Sequence, residues 1–320
     1  MYQEIQIRDM RKEDIDQAVE LWVKQYRLYC NKEEFPQYWI TNTAEIKHIL
    51  ENQIQNQAAV IAKQGDRIIG FLGFFMFDFH NEKSALCNIT SHAVEETCKE
   101  RIYLALYKHV SKRWVEKNIF NHLWMFFSQD SRLKEFLYDM GFGSYVVDSY
   151  LRVNAFDLMQ ECPYQIRLAT LDDLPAMQPL VYESVQYYEM EPLFLKREAV
   201  TSEKLGELIK RDNIFIACED DKIVGFMNIN RAAENDSENL SVMNCGLIDE
   251  LGAYIKPEHR GNKLGVYLLN AIVGYCRDNS IDLIHVDFET ANPFANRFWR
   301  KYFTPMISSV RRTVNKDANS

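Results

Sequence analysis

Apolar residues in the C-terminal half of the chain recur with two different periods, which divide this half into strands and helices. Short apolar or alternating runs bounded by polar turns predict strands, and longer runs with apolar positions every three or four residues predict helices. The predicted strands cover residues 164–169, 213–218, 222–230, 246–256, 281–288 and 306–314. The predicted helices cover residues 171–187, 201–211, 264–278 and 293–302. This mixed order favours an α/β sandwich with a central, largely antiparallel sheet flanked by helices.

Three segments of the N-terminal half recur in the C-terminal half at a nearly constant separation. Residues 7–15 are similar to residues 166–174, which lie 159 positions later. Residues 62–71 and 217–226 each predict a strand, a charged turn and a second strand, and they are 155 positions apart. Residues 130–142 are similar to the stretch that begins at Asn292, 162 positions later. The repeat indicates a duplication, and we predict two tandem α/β domains over residues 1–160 and 161–320.

Composition and charge narrow the class of protein. The chain is 47% hydrophobic and 13% aromatic, which is enough apolar side chain for packed cores. Its formal net charge of −9 argues against a nucleic-acid partner. The seven cysteines and seven histidines are scattered without ligand spacing, so we expect no metal ion. Because the first residues lack the features of a signal peptide and the longest apolar run, residues 68–77, is too short to cross a bilayer, we expect a cytoplasmic protein without a membrane partner.

Residues 257–265 join a predicted strand to a predicted helix and form the most informative stretch of the chain. A helix start presents backbone N–H groups without intrahelical partners, and the helix dipole there favours negative charge. Arg260 adds a cationic side chain, and Gly261 and Gly265 let the backbone come close to a ligand. The stretch therefore predicts a turn that binds phosphate.

The same stretch resembles motif A of the GNAT superfamily of acyl-CoA-dependent N-acetyltransferases. Arg260 and Gly265 match the two ends of that motif, whereas Lys263 stands where the family has its middle glycine. Further along the chain, Asn292 and Ala295 precede an aromatic pair and resemble motif B. With the internal repeat, the resemblance implies two tandem GNAT-type domains, of which the second carries both motifs.

This resemblance implies an N-acetyltransferase that moves an acetyl group from acetyl-CoA, its co-substrate, to a primary amine of a small molecule or peptide. Backbone groups of Tyr254 and Ile255 are expected to pair with the pantetheine arm as an added strand would, and Asn292 to reach the same arm. The pyrophosphate is expected at Arg260, Gly261, Asn262, Lys263, Leu264 and Gly265.

The resemblance places the general base on the strand before motif A or on the strand before motif B, which leaves several carboxylates as candidates. Asp249 and Glu250 lie on the first strand, and Asp287 and Glu289 lie on the second. Strict alternation along a strand sends neighbouring side chains to opposite faces, so only one of the first pair points into the cleft unless a bulge intervenes. We slightly favour Glu250, but the family's base falls at Asp249, and both stay candidates.

A general acid is less clearly marked in the sequence. The family places a tyrosine seven residues after the motif B asparagine, and this chain has Trp299 there, whose indole N–H is not a comparable acid. Tyr302, one helical turn later, is the candidate substitute. Otherwise the thiolate leaves without help from the protein.

The first half departs from the family pattern where a cofactor would bind. Residues 89–101 stand in the place of motif A but contain no glycine, and Glu95 and Glu96 lie near the expected phosphate turn. Two carboxylates there would repel a pyrophosphate. We therefore expect a degenerate N-terminal domain without an acyl-CoA site, with a structural or substrate-shaping role.

The acceptor is only broadly indicated. Aromatic and acidic residues expected near the acceptor side, which suit a cationic amine, are Tyr187, Tyr188, Glu189, Glu191, Glu234, Asp236 and Glu238. An alternative function is a non-catalytic acyl-CoA- or metabolite-binding protein on a degenerate fold, because Lys263 and Trp299 depart from the family pattern. We expect a monomer or a homodimer.

Overall fold

The structure is a computed structural model that describes residues 4–158 and 161–319. Its helices are α1 (Ile15–Cys30), α2 (Ala44–Gln55), α3 (Lys99–Glu116), α4 (Ser131–Asp139), α5 (Leu174–Glu189), α6 (Ser202–Arg211), α7 (Leu264–Asp278) and α8 (Pro293–Tyr302). Its first strands are β1 (Gln6–Asp9), β2 (Ala59–Gln64), β3 (Arg67–Gly73), β4 (Phe75–Phe79), β5 (Glu82–Cys87), β6 (His92–Val94), β7 (Asn121–Phe127) and β8 (Gly143–Arg152). The remaining strands are β9 (Gln165–Leu168), β10 (Asn213–Glu219), β11 (Lys222–Arg231), β12 (Gly246–Ile248), β13 (Ala253–Ile255), β14 (Leu283–Glu289) and β15 (Thr304–Thr313).

Contacts divide the chain into two compact units, which differ in detail from the predicted domains. The first unit consists of residues 1–148, 236–241 and 305–320, and the second of residues 149–235 and 242–304. Strand β15, which the sequence placed at the end of the second domain, belongs to the first unit because it pairs with β7. The predicted division after residue 160 stays a prediction, since residues 159 and 160 lie outside the described ranges.

The first unit contains two sheets around an aromatic core. One sheet has the order β1-β2-β3-β6 and is antiparallel throughout. The other includes β4, β5, β7 and β15 in that order, with β5 and β7 parallel. Helix α3 packs on β2 and β3. The buried residues between these layers include Tyr103, Trp114 and Trp124, so the unit has a hydrophobic core of its own.

The second unit is built on one sheet in the order β14-β12-β11-β10-β9, with β13 also paired to β11. Only the β12–β14 pair is parallel among the described ladders of this unit. Helix α7 packs on β10 and β11 because its apolar positions recur every three to four residues. Those buried positions are Leu264, Leu268, Leu269, Ile272, Val273 and Cys276. The predicted mixed α/β architecture with largely antiparallel sheets is confirmed.

The internal repeat is visible in the details of the two units. Arg8 forms a two-point ion pair with Asp14 (both N···O distances 2.7 Å), and Arg167 forms the same pair with Asp173 at the same distances. In both copies the aspartate also accepts a backbone N–H three residues earlier, at 2.8 Å. The Arg167 guanidinium lowers the pKa of Asp173 to about 2. Such a matched local motif is expected from a duplication.

The predicted elements of the second half occur within a few residues of their expected bounds, except for one strand. Residues 246–256 were predicted as continuous, but they form β12 and β13 with a turn between them. The backbone of Glu250 (φ +45°) and of Gly252 (φ +66°) enters the left-handed region, which interrupts a strand. Within the described ranges, no helix combines the length and apolar character needed to cross a membrane.

Candidate active site

A cleft opens in the second unit where two neighbouring strands separate. β12 and β14 run in parallel from the Gly246–Ile284 pair to the Ile248–Val286 pair. Beyond that point the chain turns away, and β13 pairs with β11 instead. The resulting cleft has a volume of about 970 Å³ and is lined by the diverging strands, the first turn of α7, helix α8 along its length and the end of α5. Its position is therefore set by a local change of strand partner.

The turn between β12 and β13 brings two carboxylates into the cleft. The Gly252 N–H donates to the Asp249 carbonyl at 2.9 Å, which closes a tight turn around Glu250. Asp249 and Glu250 both line the cleft as a result. Alternation along a regular strand would have placed only one of them there, so the bulge that the sequence left open does occur.

The two carboxylates have different surroundings. Asp249 is half-buried and accepts a hydrogen bond from Asn230 Nδ2 at 2.9 Å. Burial, followed by the nearby Glu250 charge, raises the pKa of Asp249. Glu250 is exposed and forms ion pairs with Arg211 and, at 3.8 Å, with Lys204. Asp249 is therefore the carboxylate poised to take up a proton, while Glu250 is held by two cations.

The first turn of α7 has the backbone form of an anion-binding site. Gly261 (φ +83°) and Lys263 (φ +61°) adopt left-handed conformations before the helix begins. The first helical bonds come from the Val266 and Tyr267 N–H groups, which both donate to the Lys263 carbonyl. Among the described residues, the N–H groups of Leu264 and Gly265 have no backbone acceptor, and both residues line the cleft. These donors suit an anionic ligand.

Cationic side chains gather in the same cleft. Its lining includes Arg260 and Lys263 from the turn, and Arg297 and Lys301 one helical turn apart on α8. These cations suit a ligand with several phosphate charges, and the carboxylates Asp249, Glu250 and Asp287 line the same cleft. The site thus combines phosphate-binding groups with carboxylates that can accept a proton.

Gly265 is required for close packing at the helix start. A Cβ at this position would lie 3.1 Å from the Phe298 ring and 3.3 Å from the Ile255 side chain. Any larger residue would push α7 away from β13 and α8. The match of Gly265 to the glycine pattern therefore has a packing cause, independent of any ligand.

Comparison with known proteins adds the family. Residues 176–303 match the profile of the Acetyltransferase (GNAT) family. The C-terminal half of this chain carries a GNAT domain. No curated protein matches the sequence.

Two solved structures resemble the chain over almost its whole length. A GCN5-related N-acetyltransferase from Sphaerobacter thermophilus has a TM-score of 0.59 and 12% sequence identity, over 97% of this chain and 95% of its own. A tandem GNAT protein from the clavulanic acid biosynthesis pathway, without AcCoA, has a TM-score of 0.50 and 14% identity, over 98% of this chain and 99% of its own. At these identities the likeness shows a shared fold, in which a GNAT domain is one half of a tandem.

One edge of β13 in the GNAT domain is paired with β11. The Asn228 N–H donates to the Gly252 carbonyl, and the Lys256 N–H donates to the Val224 carbonyl. Since hydrogen-bonded positions alternate in an antiparallel ladder, Tyr254 directs its backbone to β11 and Ile255 directs its backbone to the cleft. The expected pairing of Tyr254 backbone groups with a ligand does not fit this ladder, although the Tyr254 ring lines the cleft. The Ile255 carbonyl accepts the Nε–H of Arg260 at 2.9 Å.

Asn292 has a structural task in the GNAT domain. It is the N-cap of α8, where its Oδ1 accepts the Ala295 N–H at 3.1 Å. The Tyr187 hydroxyl donates to the same oxygen at 3.3 Å. Asn292 also lines the cleft, so its expected contact with a pantetheine arm stays a prediction.

The other predicted catalytic residues lie in the same cleft. Asp287 and Tyr302 are both part of its lining. The Tyr302 ring packs 5.2 Å from the Phe298 ring and 6.0 Å from the Phe156 ring, between centroids. Trp299, at the family's tyrosine position, is 6% exposed and serves mainly in packing. Neither the base nor the acid is decided by position alone.

The acceptor side contains residues that the sequence did not reveal. Tyr187 and Tyr188 line the cleft as expected, whereas Glu189, Glu191, Glu234, Asp236 and Glu238 are not among its lining residues. Arg197, which was not predicted, stacks on the Tyr188 ring at 3.5 Å and pairs with Glu289 at 2.6 Å. Arg197 lies in an irregular segment between α5 and α6, where no periodic pattern signals a site. The cationic i, i+4 pair Arg297 and Lys301 could have been found from its helical spacing.

Within the described ranges, no group of three or more His, Cys, Asp or Glu residues is arranged to hold a metal ion.

Proposed function

We propose that the chain is an acetyl-CoA-dependent N-acetyltransferase that acts on a primary amine of a small molecule or peptide, with its one active site in the GNAT domain. The observation that carries this proposal is that the anion-binding turn of α7 and the carboxylate of Asp249 line one cleft. An acyl transfer to an amine needs both a place for the acyl donor and a group that accepts the amine proton.

The residues around the cleft fit acetyl-CoA. The Leu264 and Gly265 N–H groups, with Arg260, Lys263 and Arg297, supply donors and positive charge for a pyrophosphate. The outward edge of β13 at Ile255 offers amide groups to the pantetheine arm. Acetyl-CoA brings the activated acetyl thioester to this cleft.

We assign the base role to Asp249 in preference to Glu250. A primary amine is mostly protonated at neutral pH, so the acceptor must give up a proton before it can attack. The raised pKa of Asp249 brings its carboxylate closer to the working pH of a general base. Glu250 supports it by raising that pKa, while Arg211 and Lys204 hold Glu250 in place. Asp287 stays a second candidate for the base, and Tyr302 is the candidate acid.

We further infer that the first unit binds no acyl-CoA. Strand β6 of the first unit is equivalent to β13 of the GNAT domain. The His92 side chain reaches from β6 to β7, where its Nε2 donates to the Met125 carbonyl at 2.6 Å. Gln25 Nε2 donates to the Val94 carbonyl at 3.1 Å, at the position that matches Ile255. These bonds use the groups that a pantetheine arm would need.

The test is a calorimetric titration of acetyl-CoA against the wild type and Arg260→Glu, with the number of sites per chain as the readout. We expect one site, lost in Arg260→Glu. Arg300→Glu is the matched control, because Arg300 is exposed on α8 but is not part of the cleft lining. Two sites would overturn the inference about the first unit, and no binding would overturn the proposed function.

A panel of primary amines, assayed for release of free CoA thiol, tests the catalytic part. We expect at least one amine to be acetylated at a rate that Asp249→Asn abolishes. Tight binding of acetyl-CoA without acetylation of any amine would instead support a non-catalytic acyl-CoA-binding protein.

A further inference from the structure

The Arg260 side chain folds back across the cleft. Its Nε–H donates to the Ile255 carbonyl at 2.9 Å. The guanidinium carbon lies 4.9 Å from the centre of the Tyr187 ring, 5.0 Å from Phe294 and 5.4 Å from Tyr254. Three aromatic rings and one carbonyl therefore hold this cation over the edge of β13.

That position conflicts with a pantetheine arm. Ile255 directs its backbone away from β11 and into the cleft, and its carbonyl is the acceptor that an extended amide ligand would use to add itself to β13. The same oxygen now receives the Arg260 Nε–H. A ligand that pairs with this edge has to displace the arginine first.

The contacts that hold Arg260 are of a kind that phosphate can replace. The Arg260 contacts described above are to aromatic rings and to a neutral carbonyl. The Arg260 hydrogen bond goes to a neutral carbonyl, whereas a phosphate carries the opposite charge and can accept two parallel N–H bonds from a guanidinium. The α7 turn, where a pyrophosphate is expected, begins directly after Arg260.

The first unit shows the opposite case. Lys99 is the first residue of α3, is 0% exposed, and sits 4.7 Å from the centre of the Tyr29 ring. It forms ion pairs with Asp130 at 2.6 Å and Glu96 at 2.7 Å. The residue that matches Asp130 is the neutral Asn292. Two carboxylates thus hold the buried cation of the first unit, whereas the contacts described for Arg260 are to aromatic rings and a neutral carbonyl.

We propose that Arg260 is a latch that makes the cleft select acyl donors with a pyrophosphate over donors with pantetheine alone. The pyrophosphate draws the guanidinium away from Ile255 and so opens the β13 edge to the arm of the same molecule. Pantetheine without a pyrophosphate does not displace Arg260, so the Ile255 carbonyl on the β13 edge stays covered. The proposal rests on the proposed function, because it concerns the donor site of that reaction.

The experiment compares two probes, CoA and pantetheine, against the wild type, Arg260→Ala and Arg297→Ala. CoA binding is measured by calorimetry, and pantetheine binding by ligand-observed NMR at millimolar concentration. Arg297→Ala removes an equal charge from the cleft lining on α8. It is therefore the matched control for the loss of attraction to phosphate.

We expect Arg260→Ala to bind CoA at least tenfold more weakly, as loss of a charged hydrogen-bonding group predicts, and to bind pantetheine more tightly than the wild type does. Arg297→Ala should weaken CoA binding without improving pantetheine binding. Opposite effects of one substitution on the two probes are the signature of a latch. Pantetheine binding to Arg260→Ala that is undetectable, unchanged or weaker overturns the latch.

The outcome for CoA separates this proposal from the proposed function. If CoA binds the wild type and pantetheine binding does not improve in Arg260→Ala, the donor site stands and the latch is wrong. If CoA does not bind the wild type at all, the donor site itself is wrong, and the latch falls with it.

Discussion

The two units separate their strands in the same way, yet those strands line a cleft in the GNAT domain and have buried polar side chains between them in the first unit. In the first unit, β5 pairs with β7 as far as Cys87 and Trp124, and β6 then pairs with β3 instead. In the GNAT domain, β12, β14, β13 and β11 repeat that exchange of partners. The difference between the units is therefore not in the backbone plan but in the side chains that enter the gap.

Buried polar side chains fill the gap in the first unit. His92 bridges from β6 to β7, and its Nδ1 lies 2.9 Å from the Tyr103 hydroxyl. Burial lowers the pKa of His92 to about 4, so the ring is neutral at physiological pH. Trp22 Nε1 donates to the Ile89 carbonyl at 2.9 Å in the same region. The space between the separated strands of the first unit is therefore filled by hydrogen-bonded side chains, since buried polar groups need partners.

The position of the proposed base differs between the units by one functional group. Asp249 follows directly after β12, and Asn88 follows directly after β5, 161 positions earlier. Asn88 is 4% exposed, whereas Asp249 lines the open cleft. An amide cannot accept a proton from an ammonium group as a carboxylate does. The two units therefore differ in the strand edge that faces the gap, in the cation near it and in the residue that follows β5 or β12.

The largest expected effect comes from replacing Asp249 of the GNAT domain with asparagine, the residue that the first unit has at the matching position, Asn88. Asp249→Asn should lower kcat by about 10² to 10⁴, the usual contribution of a general base. The rise of kcat/KM with pH that depends on the Asp249 carboxylate should also disappear. Asp221→Asn, on an exposed hairpin turn, is the control and should change neither quantity. A wild-type pH profile retained in Asp249→Asn would transfer the base role to Asp287.

The next effect concerns stability of the first unit. Lys99→Ala leaves Asp130 buried without its ion-pair partner and should cost about 3–5 kcal/mol of unfolding free energy. Tryptophan fluorescence during urea denaturation can follow this, because Trp22, Trp39, Trp114 and Trp124 all lie in the first unit. Lys112→Ala, on the exposed side of α3, should stay within about 0.5 kcal/mol of the wild type. A similarly small loss of unfolding free energy in both variants would show that the Lys99 ion pairs contribute little to the stability of the first unit.

A smaller effect is expected from the two matched helix caps. Asn292→Ala removes the N-cap of α8 and should destabilise the GNAT domain by about 1 kcal/mol. Asp130→Ala removes the N-cap of α4 and the partner of Lys99 together, so its cost should be clearly larger. Hydrogen exchange of the amides of α4 and α8 measures each helix separately. Equal losses in the two variants would contradict the claim that only the first unit adds an ion pair to its cap.

The smallest effect tests the coupling of the two carboxylates. Glu250 contributes to raising the pKa of Asp249, so Glu250→Gln should lower that pKa. Because the base is active when deprotonated, the ascending limb of kcat/KM should move to lower pH. Glu207→Gln, an exposed change on α6, should leave the limb in place. A shift to higher pH would mean that another group sets the limb.

Local patterns predicted much of the second half but not the atoms that do the chemistry. Helices α7 and α8 have the predicted bounds because their apolar spacing and their starts at Lys263 and Asn292 are local signals. The alternation of a regular strand predicts Asp249 and Glu250 on opposite faces, because it does not account for the turn between β12 and β13. Repulsion of a pyrophosphate by Glu95 and Glu96 was the expected reason for a first half without an acyl-CoA site, and this stays a prediction. Both carboxylates have cationic partners, because Glu95 pairs with Arg67 at 2.6 Å and Glu96 pairs with Lys99.

The sequence by itself determined the duplication, the α/β class, the strand–turn–helix motif at Arg260 to Gly265 and the capped start of α8. These features depend on residues that are close in the chain, where spacing alone sets the geometry. Only the tertiary structure decided that β15 pairs with β7, that Arg260 covers the Ile255 carbonyl and that Arg197 stacks on Tyr188. Such contacts join residues that are distant in sequence or depend on which side chain fills a gap, and both follow from packing in three dimensions.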